Sequence, residues 1–166
     1  MTILETDFSD SSSDDIGALA RDRIPVRSMT EADLPAIIAI DRKLTGTARP
    51  VYYQGKLTEM LEESGVRISL VAEVDGVFAG FAMARVDFGE YGRTAPSAVL
   101  DTIGVAPEFH QRGVGAALIS QLLANLRSLN VETLCTRVEW NALPLIAFFE
   151  RAGFRPAQRL SFQRRL

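Results

Sequence analysis

The chain has 166 residues, 47% hydrophobic and 23% charged, which predicts one self-sufficient folded domain and excludes wholesale disorder. A single cysteine, Cys135, and a single histidine, His110, exclude an intramolecular disulfide framework, a thiolate-rich zinc site and a histidine-cluster metal site. The net charge of −3 divides unevenly: residues 1–22 carry six acids against Arg21, giving −5, and residues 23–166 carry 17 bases and 15 acids, giving +2.

A near-neutral body lacks the basic footprint of a nucleic-acid binder. No run approaches the ~18 consecutive apolar residues of a membrane span, and the N-terminus has no signal-peptide pattern. The expected compartment is the cytoplasm, with neither nucleic acid nor membrane as partner. Residues 8–15 (FSDSSSDD) extend a polar run that marks residues 1–22 as a disordered acidic leader ahead of a domain over 23–166.

In chain order, residues 24–27 (IPVR) read as a short strand. Thr30 reads as an N-cap with Glu31 and Asp33 in the first helical turn, and Leu34, Ile37, Ile38 and Ile40 form the buried stripe of that helix. After a loop over 45–50, a second helix is predicted over 52–63. Residues 66–74 and 77–86 alternate as strands around Asp75-Gly76, a hairpin turn signal. A loop over 87–96 leads to a strand over 98–105. A helix follows over 114–129, with Leu118, Ile119, Leu122, Leu123 and Leu126 on one face. A strand over 131–140, a helix over 144–152 and a final strand over 154–162 complete the order βααβββαβαβ. This is a mixed α/β sheet, neither doubly wound nor a bundle.

The most informative stretch is residues 100–118, LDTIGVAPEFHQRGVGAAL. A strand stops at Ala106-Pro107, and a polar turn runs through Gly113-Val114-Gly115 directly into an amphipathic helix. Two glycines at this spacing let backbone amides converge at a helix N-terminus, a nest suited to a diphosphate, with Arg112 placed to add a contact. Close helix–strand packing selects glycine too. The P-loop and dinucleotide patterns fail on spacing.

These residues resemble the GNAT superfamily of acetyl-CoA-dependent N-acetyltransferases. Its V-x-P and Q/R-x-x-G-x-G/A motif matches Val105-Ala106-Pro107 and His110 to Gly115. Its second signature matches Asn141 and Phe149-Glu150-Arg151-Ala152-Gly153-Phe154. The resemblance covers roughly Ile24 to Phe162, and it implies a splayed central strand pair that admits acetyl-CoA. Backbone groups of Ile103, Gly104 and Val105 would pair with the pantetheine arm. The amides of Gln111, Arg112, Gly113, Val114, Gly115 and Ala116 would hold the pyrophosphate, and Asn141 would lie near the distal arm. A primary amine, on a small molecule or a protein N-terminus, would attack the thioester directly, without metal or covalent intermediate. Among GNAT proteins the chain is most similar to small enzymes that modify protein N-termini, including ribosomal-protein alanine acetyltransferases.

His110 stands where the family has Gln or Arg, and Phe149 where it often has a Tyr that protonates the departing thiolate. Water, or Tyr91 from the loop over 87–96, would take over that proton. Asp101 is the first candidate for general base, assigned to the side of β-strand residues Ile103 and Val105 by parity, and Glu139 is the second. Cys135 reads as a small buried thiol and Trp140 as a wall residue. Tyr52, Tyr53, Tyr91 and Arg93 are candidates to line the acceptor site. The missing tyrosine leaves a second reading open, a non-catalytic acyl-CoA-binding sensor or interaction module, and the choice between monomer and homodimer is open as well.

Overall fold

The computed structural model describes residues 20–60, 66, 68–87, 95–157 and 162–165. The described chain begins ahead of the expected boundary at residue 23. Residues 20–23 form a helical turn closed by Ile24 N–H donating to Ala20 O at 3.0 Å, and Ala20 packs on the core. The rest of the expected leader, residues 1–19, lies outside the described residues.

Strand β1 (Val26–Ser28) runs into a single 3-10 turn, Glu31–Asp33, and then into helix α1 (Leu34–Thr45). Asp33 secures that entry, accepting from the Thr30 N–H at 2.8 Å while Arg27 grips both its oxygens at 2.8 and 2.7 Å. Burial pushes the Asp33 carboxyl up, but Arg27 and Thr30 outweigh it and hold the pKa below the ordinary value. Helix α2 (Pro50–Thr58) starts two residues before the expected point, with proline in its first turn, where the missing N–H costs nothing. Its expected end lies outside the described residues.

Strands β2 (Leu70–Val74) and β3 (Val77–Asp87) form the hairpin read from Asp75-Gly76, whose φ values of 54° and 76° give the doubly left-handed turn such hairpins favour. Strand β4 (Ser97–Val105) pairs antiparallel with β3. Helix α3 (Val114–Ser128) then crosses over to β5 (Thr133–Thr136), which lies parallel to β4. The sheet order is β1-β2-β3-β4-β5, and helix α4 (Leu143–Arg151) follows. This is the mixed sheet expected, with two differences at its C-terminal side. Strand β5 is four residues long rather than ten. The expected final strand over 154–162 is unformed at its described ends, residues 154–157 and 162, and its middle lies outside the described residues. Phe154 instead packs edge-on against Phe149, ring centroids 4.9 Å apart.

The sheet is covered on both faces. Phe81 and Met83 of β3 face Ile37 and Ile40 of α1 and Tyr53 and Leu57 of α2, while Ala82 and Ala84 face Leu118, Leu122 and Leu126 of α3. Burial on both faces explains why residues 77–86 are apolar nearly throughout rather than strictly alternating. The small residues face α3, and Gly80 completes that path. A Cβ on Gly80 would lie 2.8 Å from the Gly104 carbonyl and 3.0 Å from Val114 Cγ1, so glycine lets the first turn of α3 settle onto the sheet.

Candidate active site

Strands β4 and β5 pair over four residues only, from Ser97↔Thr133 to Leu100↔Thr136, and Thr136 Oγ1 closes the ladder by donating to Leu100 O at 3.0 Å. Beyond that point β4 runs on for five residues without a β5 partner, and residues 137–139 leave the sheet. The result is a wedge with one free edge.

Hydrogen-bond alternation states which groups line it. Ala106 N–H donates to Ala79 O at 2.9 Å, so the carbonyl of the same peptide, Val105 O, points away from β3. With Gly80 opposite Val105, the N–H and C=O groups of Val105 and Ile103 face the wedge, and those of Gly104 face β3. Of the three backbone positions expected at the opening, two present their polar groups there. Gly104 serves packing instead, since a Cβ on it would lie 2.7 Å from the Phe81 ring.

The wedge leads to the N-terminus of α3. Gln111 and Gly113 have φ of 61° and 85° on either side of Arg112, and this left-handed backbone turns successive amides to one side. The first bond inside the helix is Ala117 N–H to Gly113 O at 2.9 Å, so the amides of Val114, Gly115 and Ala116 have no helical acceptor. With glycine at the N-cap, no side chain satisfies them. The Val114 side chain is buried in the core, leaving its amide as its contribution to the nest. Gly115 answers to packing as well, because a Cβ there would lie 3.0 Å from the Phe148 ring. Gln111 and Arg112 are exposed, with the Arg112 guanidinium 5.3 Å above the Phe109 ring.

On the other face of the sheet, the structure corrects the parity of Asp101. The β3–β4 register shifts at Met83/Ala84, which pair with Thr102 and Leu100 and leave Asp101 as the extra residue of a β-bulge. A bulge resets alternation. Leu100, Ile103 and Val105 therefore pack toward α3, while Asp101 faces α2 beside Lys56 and Arg85. Its Oδ1 accepts from Arg85 Nη1. Its Oδ2 lies 3.7 Å from Lys56 Nζ, buried and without a hydrogen bond among the described residues. Lys56 also donates to Glu59 at 3.0 Å, and Glu59 first, then Asp101, raises its pKa, so it remains an ammonium.

Next to this network is one that the sequence reading missed. Asp41 of α1 is buried and accepts from Arg49 through both oxygens and from the Tyr53 hydroxyl at 3.0 Å. Arg49 and then Tyr53 hold the Asp41 carboxyl below its ordinary pKa, against the opposing pull of burial. Burial and Asp41 push Tyr53 up to about 12, so this phenol stays protonated at neutral pH. The signal was present: Asp41 sits four residues after Ile37 on the buried stripe of α1, where an unpartnered carboxylate would be costly.

The other candidates scatter. Glu139 is exposed on the strand-leaving segment and makes no ion pair among the described residues. Asn141 is exposed, and its carbonyl accepts from Leu143 N–H at 2.9 Å. Trp140 is 84% exposed, so it is not packed as a wall. Phe149 is a core residue, buried between Phe148 and Phe154. Cys135 is half-buried in β5. Tyr52 is partly exposed beneath Arg49, while Tyr91 and Arg93 lie outside the described residues. Among the described residues, no group of three or more His, Cys, Asp or Glu could hold a metal.

Comparison with known proteins agrees with this geometry. Residues 34–154 match the Acetyltransferase (GNAT) family. An N-alpha-acetyltransferase of Sulfurisphaera tokodaii is 26% identical over 136 residues, 78% of this chain and 79% of that protein. The [ribosomal protein bS18]-alanine N-acetyltransferase of Escherichia coli K12 is 26% identical over 132 residues, 80% of this chain and 81% of that one. Among solved structures, the aminoglycoside N-acetyltransferase AAC(6')-Iy in complex with CoA shares the fold, with a TM-score of 0.71 and 23% identity, covering 86% of this chain and 94% of that one. The match spans the wedge, the nest and both helical layers, and the chain belongs to the GNAT acetyltransferase family.

Proposed function

We propose that the chain transfers an acetyl group from acetyl-CoA to a primary amine, by direct attack within a ternary complex in the cytoplasm. The observation that carries this reading is the continuity of the free β4 edge with the uncapped amides of α3. An extended amide-bearing arm fits the edge at Ile103 and Val105, and a diphosphate fits the amides of Val114, Gly115 and Ala116 beside Arg112. Acetyl-CoA supplies the thioester acetyl group. Asn141, on the exposed segment before α4, is assigned to its distal arm.

The chain's own contribution is placement. Holding both reactants in one wedge replaces a bimolecular encounter, and an N–H on the free edge, such as that of Ile103, offers a donor to the carbonyl under attack. Asp101, at the vertex where β4 and β5 part, is assigned as the base that takes the proton from the attacking amine. Its Oδ2 has no hydrogen-bond donor of its own among the described residues. Glu139 is the second candidate. The curated relatives that span most of the chain are an N-alpha-acetyltransferase and [ribosomal protein bS18]-alanine N-acetyltransferases, which favours a protein amine as acceptor over a small-molecule amine. The curated relatives are N-acetyltransferases, which supports turnover over the sensor reading that the missing tyrosine and the unproven base had left open.

Calorimetry with CoA, followed by thiol release on a panel of amines including alanine-initiated peptides, tests the proposal. Binding with amine-dependent thiol release is expected. Binding without turnover on any amine would restore the sensor reading, and no binding at millimolar CoA would overturn the assignment of the nest.

A further inference from the structure

The carbonyl of Val105 faces the wedge, and in the structure it is already engaged. His110, exposed on the turn after Pro107–Phe109, places its Nε2 at 2.9 Å from Val105 O. A carbonyl only accepts, so Nε2 carries the hydrogen and the imidazole is the donor. The turn that presents the ring is held at both ends. Phe109 N–H donates to Ala106 O at 2.8 Å and His110 N–H to Pro107 O at 3.2 Å. Glu108 on the same turn accepts from Lys43 of α1 at 2.5 Å.

We infer that His110 is a placeholder for the amide of the cofactor's extended arm, and that it sets the affinity for acetyl-CoA by competing for the Val105 carbonyl. The inference rests on the cofactor reading above. A strand-edge carbonyl facing a wedge must be hydrogen-bonded or solvated. In the unliganded protein the imidazole satisfies it. An arm that runs along Ile103 and Val105 brings an amide N–H to the same atom, so the ring must swing out, and its bond is lost when the new one forms. The exchange returns one hydrogen bond for one broken. The arm therefore gains less at Val105 than it would at a bare edge, and the shortfall lowers affinity without touching the diphosphate nest. Since His110 is exposed, its displacement costs no core packing.

The test compares the full-length protein with H110A and H110F by calorimetry with CoA. Alanine removes both ring and donor, while phenylalanine keeps a ring but no N–H. Both variants are expected to bind CoA about two- to tenfold more tightly, the worth of one neutral hydrogen bond. ADP, which carries the diphosphate without the amide arm, should bind all three proteins alike. Unchanged or weaker CoA binding in H110A overturns the inference. So does a gain in H110A absent from H110F, which would assign the effect to bulk, or an equal gain for ADP, which would place it at the nest. Failure of the cofactor reading is a separate outcome, in which none of the three proteins binds CoA.

Discussion

Gly113 offers the sharpest test of the nest, because its replacement can be calibrated within the same molecule. Its φ of 85° lies in the left-handed region, where an L side chain costs roughly 1–2 kcal/mol. A Cβ there would lie 3.7 Å from Ala20 Cβ and 3.8 Å from Ile24 Cδ1, ordinary contact distances, so Gly113→Ala adds conformational strain without a clash. Gly76, in the β2–β3 turn, has φ of 76° and nothing within 4 Å of its would-be Cβ. Gly76→Ala thus carries the same backbone penalty far from the wedge. Both variants should lose about 1–2 kcal/mol, a fall of roughly 2–8 °C in melting temperature for a chain of this size. They should differ in binding. Relief of strain at residue 113 rotates the peptide groups that aim the amides of Val114 and Gly115, and each hydrogen bond to a charged group is worth about 1.5–3 kcal/mol. Calorimetry with CoA should show a weakening of about 10- to 100-fold for Gly113→Ala and less than twofold for Gly76→Ala. Equal, near-native affinity in both, with equal loss of melting temperature, would refute the nest and reduce Gly113 to a turn residue.

Asp101→Asn should lower kcat by about 10²-fold while leaving KM for acetyl-CoA within twofold, since Asp101 faces α2 rather than the nest; Glu139→Gln should change kcat less than threefold, and steady-state kinetics on a responsive amine would reverse the ranking if Glu139 were the base. Asp41→Asn should cost about 1–3 kcal/mol near pH 7 by weakening the bonds from Arg49 and Tyr53. The Asp41 pKa is depressed by folding, so its contribution is full above the ordinary value of 3.8 and disappears as pH falls through the folded value. Denaturant unfolding should therefore show the gap between wild type and Asp41→Asn shrinking below about pH 4, and a gap constant down to pH 2 would contradict this. Ser69→Ala removes the hydroxyl that accepts from Ala84 N–H at 3.1 Å and donates to Ala84 O at 3.2 Å; it should cost about 1–3 kcal/mol in chemical denaturation with CoA affinity unchanged.

What the sequence disclosed follows the range of the interactions involved. The hairpin was legible because Asp75 and Gly76 carry its left-handed turn themselves, and α3 because Leu118, Leu122 and Leu126 repeat at helical spacing. The nest was legible for the same reason, since the glycines that shape it adjoin the helix whose amides it exposes. Phe149 was not. Whether that ring lines the wedge or fills the core depends on where α4 settles against Phe154 and α3, and a motif position does not carry that information.

Asp101 shows the same limit more instructively. Counting by twos from Ile103 and Val105 put it on their side of the strand, and the count fails because β3 contributes one residue fewer than β4 between Met83 and Ala84. A bulge is a property of two strands, so no inspection of residues 97–105 alone reveals it. The irregularity has a functional reading of its own. Without it, alternation would carry the carboxylate to the α3 side with Ile103 and Val105, into the apolar layer. With it, Asp101 faces Arg85 and Lys56 on the α2 side, while the neighbouring backbone edge still opens into the wedge. One extra residue lets a single strand present a carboxylate to the α2 side and, at the adjacent position, an apolar side chain to α3.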